Sequence, residues 1–141
     1  MALNKKALYI GTTGNVWLNG QILANIQKIE AKITYDLEDV TVIGDFATHH
    51  LFTGWNGEGT LSMYKIDSSV LKIVSDMAKT GIEPEITIIS KLTNRNTKKT
   101  ERIALKGVVL SEINLVNFEA KGTLMEEVPF TFDDYDVLET A

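Results

Sequence analysis

Along residues 29–37 apolar and polar positions alternate strictly. Ile29, Ala31, Ile33, Tyr35 and Leu37 share one face, and Glu30, Lys32, Thr34 and Asp36 share the other. A period of two is the signature of a half-buried strand. The phase then changes, because Val40 and Val42 carry the apolar positions at even numbers. This predicts a bulge or bend near residues 37–39. Upstream, Asn19-Gly20 lies between two apolar runs. A type I′ turn needs positive φ at both central residues, so this dipeptide predicts a hairpin. Residues 44–54 read as a loop containing Phe46, His49, His50, Leu51 and Phe52, an unusual apolar content for a solvated connection. Glycines 54, 57 and 59 then frame Trp55 ahead of a strand at 60–66.

A different period governs residues 67–79. Asp67, Ser68 or Ser69 can cap a helix start, and Val70, Leu71, Val74, Met77 and Ala78 form one stripe. Lys72, Asp76 and Lys79 lie off that stripe, and Gly81 is placed to end the helix. Strands are predicted again at 85–93, 101–110, 113–119 and 121–132, with a polar turn at 94–99. Many strands with one helix inserted midway predict a mainly β domain. The expected architecture is a sandwich or barrel with a single α-helix packed on its outside.

Composition narrows the chemistry. The chain has 141 residues, a common size for one domain, and no cysteine, which excludes thiol catalysis and thiolate metal sites. No apolar run reaches the roughly 20 residues of a membrane span. The start lacks the pattern of a secretory signal, so a protein made in the cytoplasm is expected. A net charge of −5 argues against a dedicated nucleic-acid or anionic-membrane binder. The glycine string precedes a strand rather than a helix, so it reads as a close backbone approach and not a phosphate loop. His49 and His50 are adjacent and point to opposite sides of an extended chain, which makes a shared metal improbable. No cofactor is expected. Glu126, Glu127, Asp133, Asp134, Asp136 and Glu139 read as a solvated acidic end. Lys91, Arg95, Lys98, Lys99, Arg102 and Lys106 form a basic stretch about a hairpin turn. Two such faces can meet between copies of one chain. No credible active site emerges, whereas strand edges and apolar residues outside the core point to an interface.

The run from Gly14 to Gly20, followed by Ile29-Glu-Ala-Lys-Ile33, resembles the opening strands of XkdM-like tail tube proteins of contractile phages and phage-derived particles. Val40 to Gly44, Thr53 to Thr60, Tyr64 to Ser68 and Lys121 to Phe132 resemble later segments of that family in the same order. The resemblance implies a structural protein that polymerises as stacked hexameric rings around a central channel, with the helix facing the sheath. Its implied partners are further copies of itself, the tail sheath protein, and baseplate and tail-terminator components. DNA would be only a transient passenger, and no membrane is involved. Assembly would occur in the bacterial cytoplasm before incorporation into a virion or phage-tail-like particle.

Mapped onto this single domain, residues 1–14 become an extended arm and 45–55 an inter-ring loop. Phe46, Leu51, Phe52 and Trp55 are the expected ring contacts. Glu30, Lys32, Thr34, Lys121 and Thr123 are candidates for the channel wall, and Lys72, Asp76 and Lys79 for the sheath-facing helix. The competing readings are a monomeric ligand-binding β-barrel, with Trp17, Trp55 and Phe46 lining a pocket, and a carboxylate-based hydrolase.

Overall fold

The computed structural model describes residues 3–64, 71–72, 75, 77–116, 118–120 and 122–140. Its strands are β1 (Gly14–Leu18), β2 (Gln21–Ile22), β3 (Ile26–Val40), β4 (His49–Tyr64), β5 (Ile88–Thr93), β6 (Thr100–Lys106), β7 (Val109–Leu110), β8 (Met125–Phe132) and β9 (Asp134–Glu139). They form a five-stranded sheet, ordered β2-β1-β5-β6-β9, and a four-stranded sheet, ordered β3-β4-β8-β7. Every pairing is antiparallel. Val16, Leu18, Ile88 and Leu105 of the first sheet share one buried cluster with Leu61, Met63, Val128, Phe130 and Phe132 of the second. Of the expected sandwich or barrel, the mainly β fold is present as two antiparallel sheets packed face to face.

Local signals hold where they are short-range. Asn19 and Gly20 both have positive φ, 50° and 83°, as a type I′ turn requires, and Leu18 pairs with Gln21 across it. The expected irregularity in β3 lies between Asp36 and Leu37. The extra residue belongs to the partner strand: Asp36 faces Gly54 and Leu37 faces Phe52, leaving Thr53 between them. The Thr53 hydroxyl donates to the Asp36 carbonyl oxygen at 3.0 Å.

The glycine string marks a close approach. Gly57 pairs with Phe132 and Gly59 with Phe130 across β4 and β8. A Cβ on Gly57 would sit 2.5 Å from the Phe132 ring, and one on Gly59 would strike both the Glu30 carbonyl oxygen and the Phe130 ring. Absent side chains thus let two aromatic rings lie across the neighbouring strand.

Four expectations need correction. The outer helix of 67–79 is not supported: among the described residues the one α-helical element with defined bounds is α1 (Met77–Thr80), a single turn whose Met77 carbonyl accepts from the Gly81 N–H at 2.8 Å. Val70, Val74 and Asp76 lie outside the described residues, while Leu71 and Met77 are only half-buried and neither belongs to the core cluster. Residues 113–119 form no strand where described; Leu115, Val116 and Phe118 are exposed. The 45–55 segment divides, with His49 to Trp55 belonging to β4.

The acidic end is the fourth. Its last part, Asp134–Glu139, is an edge strand, β9, paired with β6, while Glu126 and Glu127 lie on β8. Lys106 bonds Asp136, and Arg102 Nε stands 3.6 Å from a Glu139 oxygen, so these basic and acidic groups meet within one chain.

Gly59→Ala is expected to destabilise the fold by about 1–3 kcal/mol, the usual cost of overpacking. Gly122→Ala, which meets nothing within 4 Å, is expected to stay within about 0.5 kcal/mol. Urea unfolding of both variants checks the contrast.

Candidate assembly surfaces

The long hairpin dominates the surface. β3 has 15 residues and β4 has 16, and they pair from Ile26 opposite Met63 out to Val40 opposite His49. β8 reaches only to Gly57 on β4. Beyond that level the two strands pair only with each other, and past Trp55, which still meets Tyr135 of the other sheet, their apolar face is exposed. Ile29 and Ile33 pack against the core. Further out, Tyr35, Leu37 and Phe52 are each more than half exposed, with the Tyr35 and Phe52 rings in edge contact at 5.5 Å.

Of the four expected ring contacts, Phe46 stands fully in solvent on the 41–48 connection, as does Ile43. Leu51 and Phe52 are 55% exposed, and as neighbours on one strand they point to opposite faces. Trp55 differs. It packs on Phe132 at 6.1 Å and edge-on against Tyr135 at 5.6 Å, so it joins the two sheets of its own subunit. The periodicity could not reveal this, because Tyr135 lies in the acidic end read as solvated.

Each histidine faces its own carboxylate. His49 Nε2 is 2.7 Å from Asp45 Oδ2, and His50 Nδ1 is 2.7 Å from Asp39 Oδ1. Asp45 also accepts from the Ala47 N–H at 2.9 Å. These bonds, the histidine first, lower the Asp45 pKa below its ordinary value. Lys106 is shifted upward by its hydrogen bond and charge attraction to Asp136.

The face of the four-stranded sheet opposite the core is polar. Glu30 pairs with Thr60, Lys32 with Glu58 and Thr34 with Asn56, and Glu58 in turn faces Thr131. Lys32 is 3.6 Å from Glu58 and Lys28 is 3.8 Å from Glu30, giving a face of mixed sign. Thr123 is exposed in the segment before β8 rather than on a strand, and Lys121 lies outside the described residues. Lys72 and Lys79 are exposed.

The arm is held rather than free. Lys5–Ala7 forms a short 3₁₀ turn, and the side-chain N–H groups of buried Asn94 donate to the Lys6 and Leu8 carbonyls at 3.0 and 3.3 Å. The Thr13 hydroxyl donates to the Thr93 carbonyl. The pocket imagined for a ligand-binding barrel does not form. A groove of about 660 Å³ runs beside Trp55, Gly57 and Phe132, but Trp17 alternates with core residues Val16 and Leu18 on the other sheet, and Phe46 is fully exposed.

A profile described as phage tail tube protein matches residues 1–139. The chain belongs to the phage tail tube family. It is 33% identical over 141 residues to the phage-like element PBSX protein XkdM of Bacillus subtilis (strain 168), covering 99% of this chain and 96% of that one. The tail tube fold extends to remote structures. A chain in the cryo-EM structure of the anti-feeding prophage cap superposes with a TM-score of 0.77 at 12% identity, covering 99% of this chain and 95% of that one. A chain of the PVC sheath-tube complex, an extracellular contractile injection system, gives 0.76 at 11% identity, with coverages of 96% and 95%. Among the described residues, no helix is long and apolar enough to cross a membrane.

The Asp45–His49 bond carries a sign. A lowered folded-state pKa contributes stability above the ordinary value of 3.8 that is lost as pH falls through the lower folded value. In His49→Ala the Asp45 carboxyl is expected to titrate closer to 3.8, which a carbon-detected NMR titration checks.

Proposed function

We propose that this tail tube chain polymerises as stacked hexameric rings into the inner tube of a contractile tail. The observation that supports the reading is the distal hairpin, whose apolar side chains Tyr35, Leu37 and Phe52 run beyond β8 and are each more than half exposed. Residues 1–14 and 45–55 are the ring contacts, with Phe46, Leu51 and Phe52 donating apolar surface. Trp55 supports the hairpin from within. The role is structural rather than enzymatic, and family membership supports it.

The polar face bearing Glu30, Lys32 and Thr34 lines the channel, with Lys121 and Thr123 beside it. Its lysines lean towards carboxylates at 3.6–3.8 Å, so a passing phosphate backbone meets few free cations and slides instead of being held. Lys72, Asp76 and Lys79 face the sheath. Baseplate and terminator components meet the two tube ends, and DNA is at most a passenger. Assembly takes place in the bacterial cytoplasm before the finished tail-like particle forms.

Leu51→Ser with Phe52→Ser removes two side chains whose burial is worth roughly 1.5–3 kcal/mol each. The double variant is expected to fold as a monomer and to form no rods in negative stain. Rods of normal length would contradict the assignment of the hairpin.

A further inference from the structure

Two surfaces of this chain carry opposite charge and exposed apolar side chains. On the hairpin, residues 33–56 contain Asp36, Glu38, Asp39 and Asp45 and no Lys or Arg. Val42, Ile43, Phe46, Leu51 and Phe52 are exposed among them. The second surface lies where the arm meets the β5–β6 turn. Lys5, Lys6, Arg95, Lys98 and Lys99 are all exposed there, and residues 3–15 and 86–100 contain no Asp or Glu. None of these five cations makes an ion pair among the described residues. Leu3, Leu8 and Ile10 add apolar surface of their own.

One buried side chain builds this second surface. Asn94 is 3% exposed; its amide oxygen accepts from the Asn96 and Thr97 N–H groups at 2.9 and 3.2 Å and so fixes the turn. Its amide nitrogen donates to the Lys6 and Leu8 carbonyls and so fixes the arm on that turn. Five like charges are thereby held on one arm and one turn, none of them in an ion pair among the described residues. In the acidic end, Asp136 and Glu139 already engage Lys106 and Arg102.

We propose that the acidic, apolar hairpin tip of one copy docks on the basic, apolar arm–turn surface of another copy. The occupant is a second copy because its hairpin offers, in one projecting element, the carboxylates this surface lacks and apolar side chains to meet Leu3, Leu8 and Ile10. The inference rests on the tube reading and names the two surfaces that meet within it. It also gives Asn94 a role in presenting the arm.

The absence of cysteine makes the test clean. Thr48→Cys and Thr97→Cys are prepared separately, mixed during rod growth and oxidised. A disulfide joining the two variants is expected, since docking brings tip and turn together. Lys98→Glu with Lys99→Glu is expected to raise the protein concentration needed for rods by about tenfold or more, as juxtaposed like charges do. Adding Asp36→Lys and Glu38→Lys to the same chain is expected to restore growth. Wild-type rods without a cross-link between the two cysteines would overturn the docking while leaving the tube reading intact. Lost assembly without rescue by the swap would assign the basic surface to a different partner and also overturn it. A wild-type protein forming neither rods nor rings would overturn the tube reading itself.

Discussion

The structure depends on a mismatch of lengths. β3 and β4 pair over 15 and 16 residues, but the neighbouring strand β8 has only 8 and leaves the hairpin at Gly57. Below that level the hairpin is a sheet in a sandwich and buries Ile29, Ile33, Leu61 and Met63. Above it, the same alternation continues into solvent with Tyr35, Leu37 and Phe52. A two-stranded ribbon with an uncovered apolar face is only marginally stable alone. The histidine–carboxylate bonds near its tip and the ring contact of Tyr35 with Phe52 give it local order, and Trp55 anchors its root through Phe132 and Tyr135. What remains is apolar surface that another chain can cover.

The rest of the fold serves to hold that root. Phe130 and Phe132 lie across Gly59 and Gly57 and press β8 against the hairpin. After Phe132 the chain bends at Asp133 and continues as β9 in the other sheet, where Tyr135 returns to Trp55. The acidic end therefore contributes to packing and pairs with β6, and its charges are partly consumed inside the subunit. This leaves the basic β5–β6 turn with an excess of positive charge and the hairpin with an excess of negative charge. In a chain of net charge −5, such separation is what the proposed docking between copies rests on.

Features encoded over a few residues were legible in the sequence. The Asn19-Gly20 turn, the alternation at 29–37 and the glycines at 57 and 59 each follow from local stereochemistry, and all three occur. The family was legible too, because several such segments recur in order. Long-range pairing was not. His49 to Trp55 sets two histidines and Gly54 among its strand formers and carries no clean alternation, and its extended form is fixed by pairing with residues 35–40. β9 was read as a tail because carboxylates dominate it, although Tyr135 and Val137 keep strand spacing and Lys106 and Arg102 supply the opposing charge. The stripe at 67–79 matched a helical period without revealing that its described members lack a place in the core. Among the candidate site residues, Glu30, Lys32 and Thr34 do share one polar face, but Trp55 turned inward because its partners come from strands distant in sequence.

The central claim is that the unpaired part of the hairpin is covered by another copy in a tube whose bore is the polar face of the four-stranded sheet. A helical cryo-EM reconstruction of rods grown from the purified protein tests this most directly. The account predicts six copies per ring, Phe46 and Phe52 buried against a neighbouring copy, and Glu30, Lys32 and Thr34 facing the bore. Rods in which the hairpin tip stays in solvent, or in which these three residues face outward, would contradict it.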